Sequence, residues 1–181
     1  IESAAPGEAE QPSWRYLRFR LSPGADDEVS SYLDALIADQ ILAPVIAQHS
    51  TDIVLWRFHR RWPGDATGHQ FSFVFFAPAP VAGRLVLQVE RDPLLDRLRS
   101  DGHLVEFRMD ELIAGRATDP AGTSDASWPA DVRREWPKFI MGASRMWLGL
   151  VQSEAAKHDG LDLYERYQAV EMALDELWFS E

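Results

Sequence analysis

The sequence predicts an α+β domain: a ferredoxin-like split βαβ plan with a four-stranded antiparallel sheet and added C-terminal helices. Three observations lead there. Apolar residues alternate in four short runs, near residues 14–21, 53–62, 69–76 and 104–109. Helix-period stripes lie between the first and second runs and between the third and fourth. Two further helical stripes then fill residues 128–181.

The first run is Trp14–Leu21. Leu17, Phe19 and Leu21 fall on one face, and Trp14, Tyr16, Arg18 and Arg20 on the other. Ser22-Pro23-Gly24 ends it, and Asp26 or Asp27 is a ready cap for the next helix. Val29, Leu33, Leu36, Ile37 and Ile41 give that helix its apolar stripe, and Pro44 breaks or kinks it.

Residues 53–76 form the hairpin around which the chain is organised. Val54, Trp56 and Phe58 alternate with Ile53, Leu55, Arg57, His59 and Arg61; Phe71, Phe73 and Phe75 alternate with Gln70, Ser72, Val74 and Phe76. Pro63, Gly64, Asp65 and Gly68 supply the turn, but a link of this length leaves the register open. In one register the phenylalanine face joins Ile53 and Leu55 and gathers Arg57, His59, Arg61 and His69 at its end. In the other it joins Val54, Trp56 and Phe58, and Arg57, His59 and Arg61 face away.

Residues 81–90 alternate ambiguously, with helix the favoured reading. Asp92-Pro93 restarts a short helix as cap and first helical residue, and Gly102 stops it. Residues 104–109 close the sheet. The polar stretch 113–127 reads as a linker. A helical run begins at Pro129 and is interrupted by Pro137; His158-Asp159-Gly160 ends the long stripe that follows, and Leu163–Trp178 forms the last. The expected organisation is a disordered tail or tether at 1–12, a sheet domain at 13–112, the linker, and a helical extension at 128–181 that packs on the sheet domain.

Composition narrows the function. The chain has 181 residues, 46% of them hydrophobic and 26% charged, with a net charge of −11. That balance argues against nucleic acid as a partner, because such binding needs cationic surface. There is no cysteine, so disulfides and thiolate chemistry are excluded. No apolar run approaches the roughly 20 residues that span a bilayer. The acidic tail before residue 13 suits a tether, which favours a periplasmic or membrane-tethered lipoprotein slightly over a cytoplasmic protein.

Arg57, His59 and Arg61 share a strand face and can grip a carboxylate or phosphate through guanidinium forks. The ligand-binding residues expected are these three with His69, Phe71 and Trp147. His59 and His69 lack the spacing that presets metal ligands, and no metal or cofactor is expected. Gly142-Ala143-Ser144 sits within a helical stripe, where small residues allow close packing; a nucleophile elbow would need a strand-to-helix turn.

Trp14–Phe19, the run Phe58-His59-Arg60-Arg61-Trp62-Pro63-Gly64, and Gly68-His69 before a hydrophobic strand resemble the C-terminal domain of lantibiotic dehydratases and thiopeptide-type biosynthesis proteins. That resemblance implies work on ribosomal peptide precursors. The second hairpin strand departs from it, with Gln70, Ser72 and Val74 where the family has arginines. No catalytic residue carries over. The leading expectation is a binding or assembly domain, not an enzyme, for a small acidic molecule, a peptide or a partner subunit. Two alternatives are an enzyme or accessory factor of peptide modification, and a homodimeric ferredoxin-like barrel enclosing a cofactor on His69 or His59.

Overall fold

A computed structural model of the chain describes residues 11–22, 31–61, 68–112 and 115–179. The acidic tail at 1–10, the cap at Asp26 or Asp27 and the turn at Pro63-Gly64 lie outside the described residues.

Four strands form one antiparallel sheet: β1 (Ser13–Leu21), β2 (Leu55–Arg61), β3 (Gln70–Ala77) and β4 (Leu104–Glu111), in the order β2-β3-β1-β4. Alternation decides what each face buries. Leu17 pairs with Phe73, Phe19 with Phe71, and Trp56 with Phe75, so these side chains share one face. That face carries the main core. Against it pack α1 (Ser31–Leu36), α2 (Ala43–Gln48), α3 (Ala79–Glu90) and α4 (Pro93–Ser100), through Leu33, Leu36, Val45, Leu85, Val89, Leu95 and Leu98. The C-terminal helices α5 (Ala130–Lys157) and α6 (Leu163–Phe179) join the same cluster through Val151, Ala155, Tyr167 and Val170. Among the described residues, no helix is long and apolar enough to cross a membrane.

The opposite face has its own small cluster of Trp14, Leu55, Val74 and Phe76. Part of its cover is the segment read as a linker. That segment carries a short 3-10 helix, Pro120–Thr123, and docks on β1: the Trp14 indole N–H donates to the Asp119 carbonyl at 2.9 Å, and Trp14 N–H to the Ala117 carbonyl at 2.8 Å. Gly122 is needed there, because a Cβ would lie 1.9 Å from the Arg116 carbonyl oxygen.

Residues 81–90 are helical, as favoured, and Asp92 caps α4 by accepting the Leu94 N–H at 2.9 Å. Pro44 and Pro137 act without ending their helices. Pro44 does not break its helix: a π-helical segment, Ile37–Leu42, joins α1 to α2, with the Ala43 N–H reaching back to the Ala38 carbonyl. Nor does Pro137 interrupt α5, which runs 28 residues with Pro137 buried inside it. Proline leaves the carbonyl four residues earlier without a helical partner. That carbonyl belongs to Arg133, and the Ser124 hydroxyl donates to it at 2.8 Å. The segment before the helix thus repairs the bond that Pro137 removes.

Candidate functional site

Of the two hairpin registers, the structure has the one that aligns Trp56 with Phe75 and Phe58 with Phe73. Arg57, His59 and Arg61 therefore align with Val74, Ser72 and Gln70 and belong to the opposite face, not to a polar rim on the phenylalanine face. Aromatic packing decides this: Phe58 lies 5.4 Å from Phe71, and Trp56 6.0 Å from Phe73, centroid to centroid. On the opposite face Arg57 is half-buried and hydrogen-bonded to the Tyr16 phenol; burial pulls its guanidinium pKa down, and its Nε has no partner.

The expected site residues separate accordingly. His69, Phe71 and Trp147 come together on the phenylalanine face, while Arg57 and Arg61 do not join them. His59 borders the same cavity, although its strand neighbour is Ser72. The cavity holds about 320 Å³ between β2, β3, α1 and α5. Phe58, Phe71 and Trp147 give it an aromatic wall, with Trp147 5.4 Å from Phe58 and 6.2 Å from Phe71. Asp34 and Arg60 give it a charged end.

That charged end is a relay of three side chains. His69 is 3% exposed and Asp34 fully buried. The His69 Nε2 lies 2.8 Å from Asp34 Oδ1, and its Nδ1 lies 3.2 Å from the Arg61 carbonyl oxygen. Arg60 Nε donates to Asp34 Oδ2 at 2.5 Å. Both ring nitrogens of His69 thus face oxygen atoms, and both Asp34 oxygens are taken, one by His69 and one by Arg60. Arg60 is the member that reaches the solvent side, with 36% of its side chain exposed.

Asp34 and Arg60 escaped the sequence reading for different reasons. Asp34 lies 35 residues from His69, on a helix whose Tyr32, Leu33, Ala35 and Leu36 are also buried. Arg60 comes to the cavity only through the register, which places it opposite Phe71. The signal available for both was an acid in an otherwise apolar stripe, since a buried charge requires a partner.

Ser144 lines the cavity without a free hydroxyl. Its Oγ accepts the Phe58 N–H at 3.1 Å and donates to the Ile140 carbonyl at 2.9 Å. The bond to Phe58 takes up an N–H turned away from β3 and ties α5 to the β2 edge. No group of three or more metal-ligating side chains occurs among the described residues. Neither nitrogen of His69 is left over for a metal.

No family model, no curated protein and no solved structure matches this chain.

Proposed function

We propose that this domain binds a small monocarboxylate with an aromatic or apolar body. The acid group sits on Arg60, and the body lies against Phe58, Phe71 and Trp147. The observation that supports this is the Asp34–His69–Arg60 trio, with the Arg60 guanidinium on its solvent side, at the end of an aromatic cavity. Asp34 fixes the guanidinium through Nε, which leaves the terminal nitrogens for a ligand carboxylate. A volume of about 320 Å³ fits one ring and its acid group, at the small end of ligand cavities. Holding, not chemistry, is the reading, because the Ser144 hydroxyl and both His69 nitrogens are already committed.

The sheet domain is read as ferredoxin-like. Its antiparallel order β2-β3-β1-β4, with helices joining β1 to β2 and β3 to β4, supports that plan. A second ligand source, the C-terminal carboxylate of a peptide, follows from the resemblance to peptide-modifying proteins. Arg60 and His69 belong to the runs that carry it.

A thermal-shift screen tests the proposal. Its arms are phenylacetate, a short peptide ending in phenylalanine, and uncharged phenylacetamide. Phenylacetate is expected to raise the midpoint of the wild type and to have less effect on Trp147→Ala; phenylacetamide is expected to do little. A larger shift with the peptide assigns the carboxylate to a chain end. No shift with either acid, or an equal shift with phenylacetamide, overturns the reading.

A further inference from the structure

We propose that two copies of this chain pair through the outer edge of β4, so that their sheets join into one. The two edges of the sheet are treated differently. At β2 the Phe58 N–H is taken up by Ser144 of α5. At β4, no strand among the described residues pairs with the outer edge, and Met109 and Val105 are 39% and 54% exposed there. A free edge of this length is a template for another strand.

The backbone says which residues face outward. Leu112 N–H donates to the Trp14 carbonyl, in step with the β1–β4 register. Even-numbered residues of β4 therefore bond to β1, and Phe107, Met109 and Glu111 turn their N–H and C=O groups outward. Two-fold pairing must set outward residues against outward residues. Charge then selects the centre. A two-fold at Arg108 or Glu106 sets like charges opposite each other across the axis. A two-fold at Phe107 sets Arg108 against Glu106 of the second copy, but it also uses Val105, where the register with β1 shifts. A two-fold at Met109 uses regular strand alone. It pairs Phe107 with Glu111, Met109 with Met109, and Arg108 with Asp110 on both sides of the axis.

A second copy is thus the occupant that the strand fits: Arg108, which within one chain lies 3.2 Å from Asp110 and 3.5 Å from Glu106 with half its side chain exposed, meets a further Asp110 across the joined edges. This inference is independent of the cavity, since no β4 residue lines it.

The test is sedimentation equilibrium on the full chain, whose mass is 20.5 kDa. The wild type is expected to show a concentration-dependent dimer. Arg108→Glu sets acids opposite acids twice and is expected to weaken it about tenfold. The exchanged pair, Arg108→Glu with Asp110→Arg, restores the match and the dimer. Folding is preserved in that exchange because Arg18, which pairs with Asp110 at 2.6 Å, lies directly opposite position 108. A monomeric wild type overturns the proposal. So does a dimer that Arg108→Glu leaves intact, or one that the exchange fails to rescue in a variant whose circular dichroism matches the wild type.

Discussion

Asp34 and His69 meet across the helix–sheet interface, with a carboxylate oxygen 2.8 Å from a ring nitrogen and almost no exposed surface on either side chain. Each is tolerable inside the protein because of the other. Truncating Asp34 takes the acceptor from both the buried His69 ring and the Arg60 guanidinium. Asp34→Ala is therefore expected to lose about 3–5 kcal/mol in urea unfolding, with the urea dependence unchanged. A loss below about 1 kcal/mol contradicts a stabilising role for Asp34 between His69 and Arg60.

The Ser124–Arg133 bond predicts a coupling. Ser124→Ala leaves the Arg133 carbonyl without a partner and is expected to cost about 1–3 kcal/mol. In a Pro137→Ala background the new N–H can reach that carbonyl, and the same serine substitution is expected to cost less. A double-mutant cycle measures this. Additive losses would mean that the hydroxyl does not stand in for the missing helix bond.

Alkaline stability reports on Tyr167. Its fully buried phenol donates to Asp39 and accepts from the Gln40 side chain at 2.7 Å. Burial, then Asp39, push its pKa well above the usual value of 10.0. Tyr164, half-buried and donating to Asp101, is pushed up to about 12. A folded-state pKa above the unfolded value means that the native state keeps its proton longer. This contribution is complete below pH 10 and declines as pH rises from 10 through 12. Thermal melts across that window are expected to fall less steeply for Tyr167→Phe than for wild type. Parallel slopes would place the alkaline loss elsewhere.

How much of this was legible in the sequence depends on distance along the chain. The faces of β1 follow from alternation alone, with Leu17 and Phe19 buried on one side and Trp14 and Tyr16 on the other. Asp92-Pro93 fixed its helix start locally. The hairpin register was not legible, because the link between β2 and β3 is too long to dictate it. That single uncertainty exchanged Arg57 and Arg61 for Arg60 as the basic residue near Phe71 and Trp147. His69 was visible as a candidate, but its acid, Asp34, is brought to it only by tertiary packing. Pro137 signalled a break because its repair comes from Ser124, outside the helix.

The central claim is that Arg60, held by Asp34, receives the acid group of the ligand. Isothermal titration of phenylacetate into wild type, Arg60→Gln and Arg57→Gln tests it most directly, because the two arginines lie three residues apart on opposite faces of β2. The account predicts that Arg57→Gln binds like wild type and that Arg60→Gln loses affinity about tenfold or more, as expected for a charge-assisted pair. Unchanged affinity in Arg60→Gln, or a loss confined to Arg57→Gln, would contradict it.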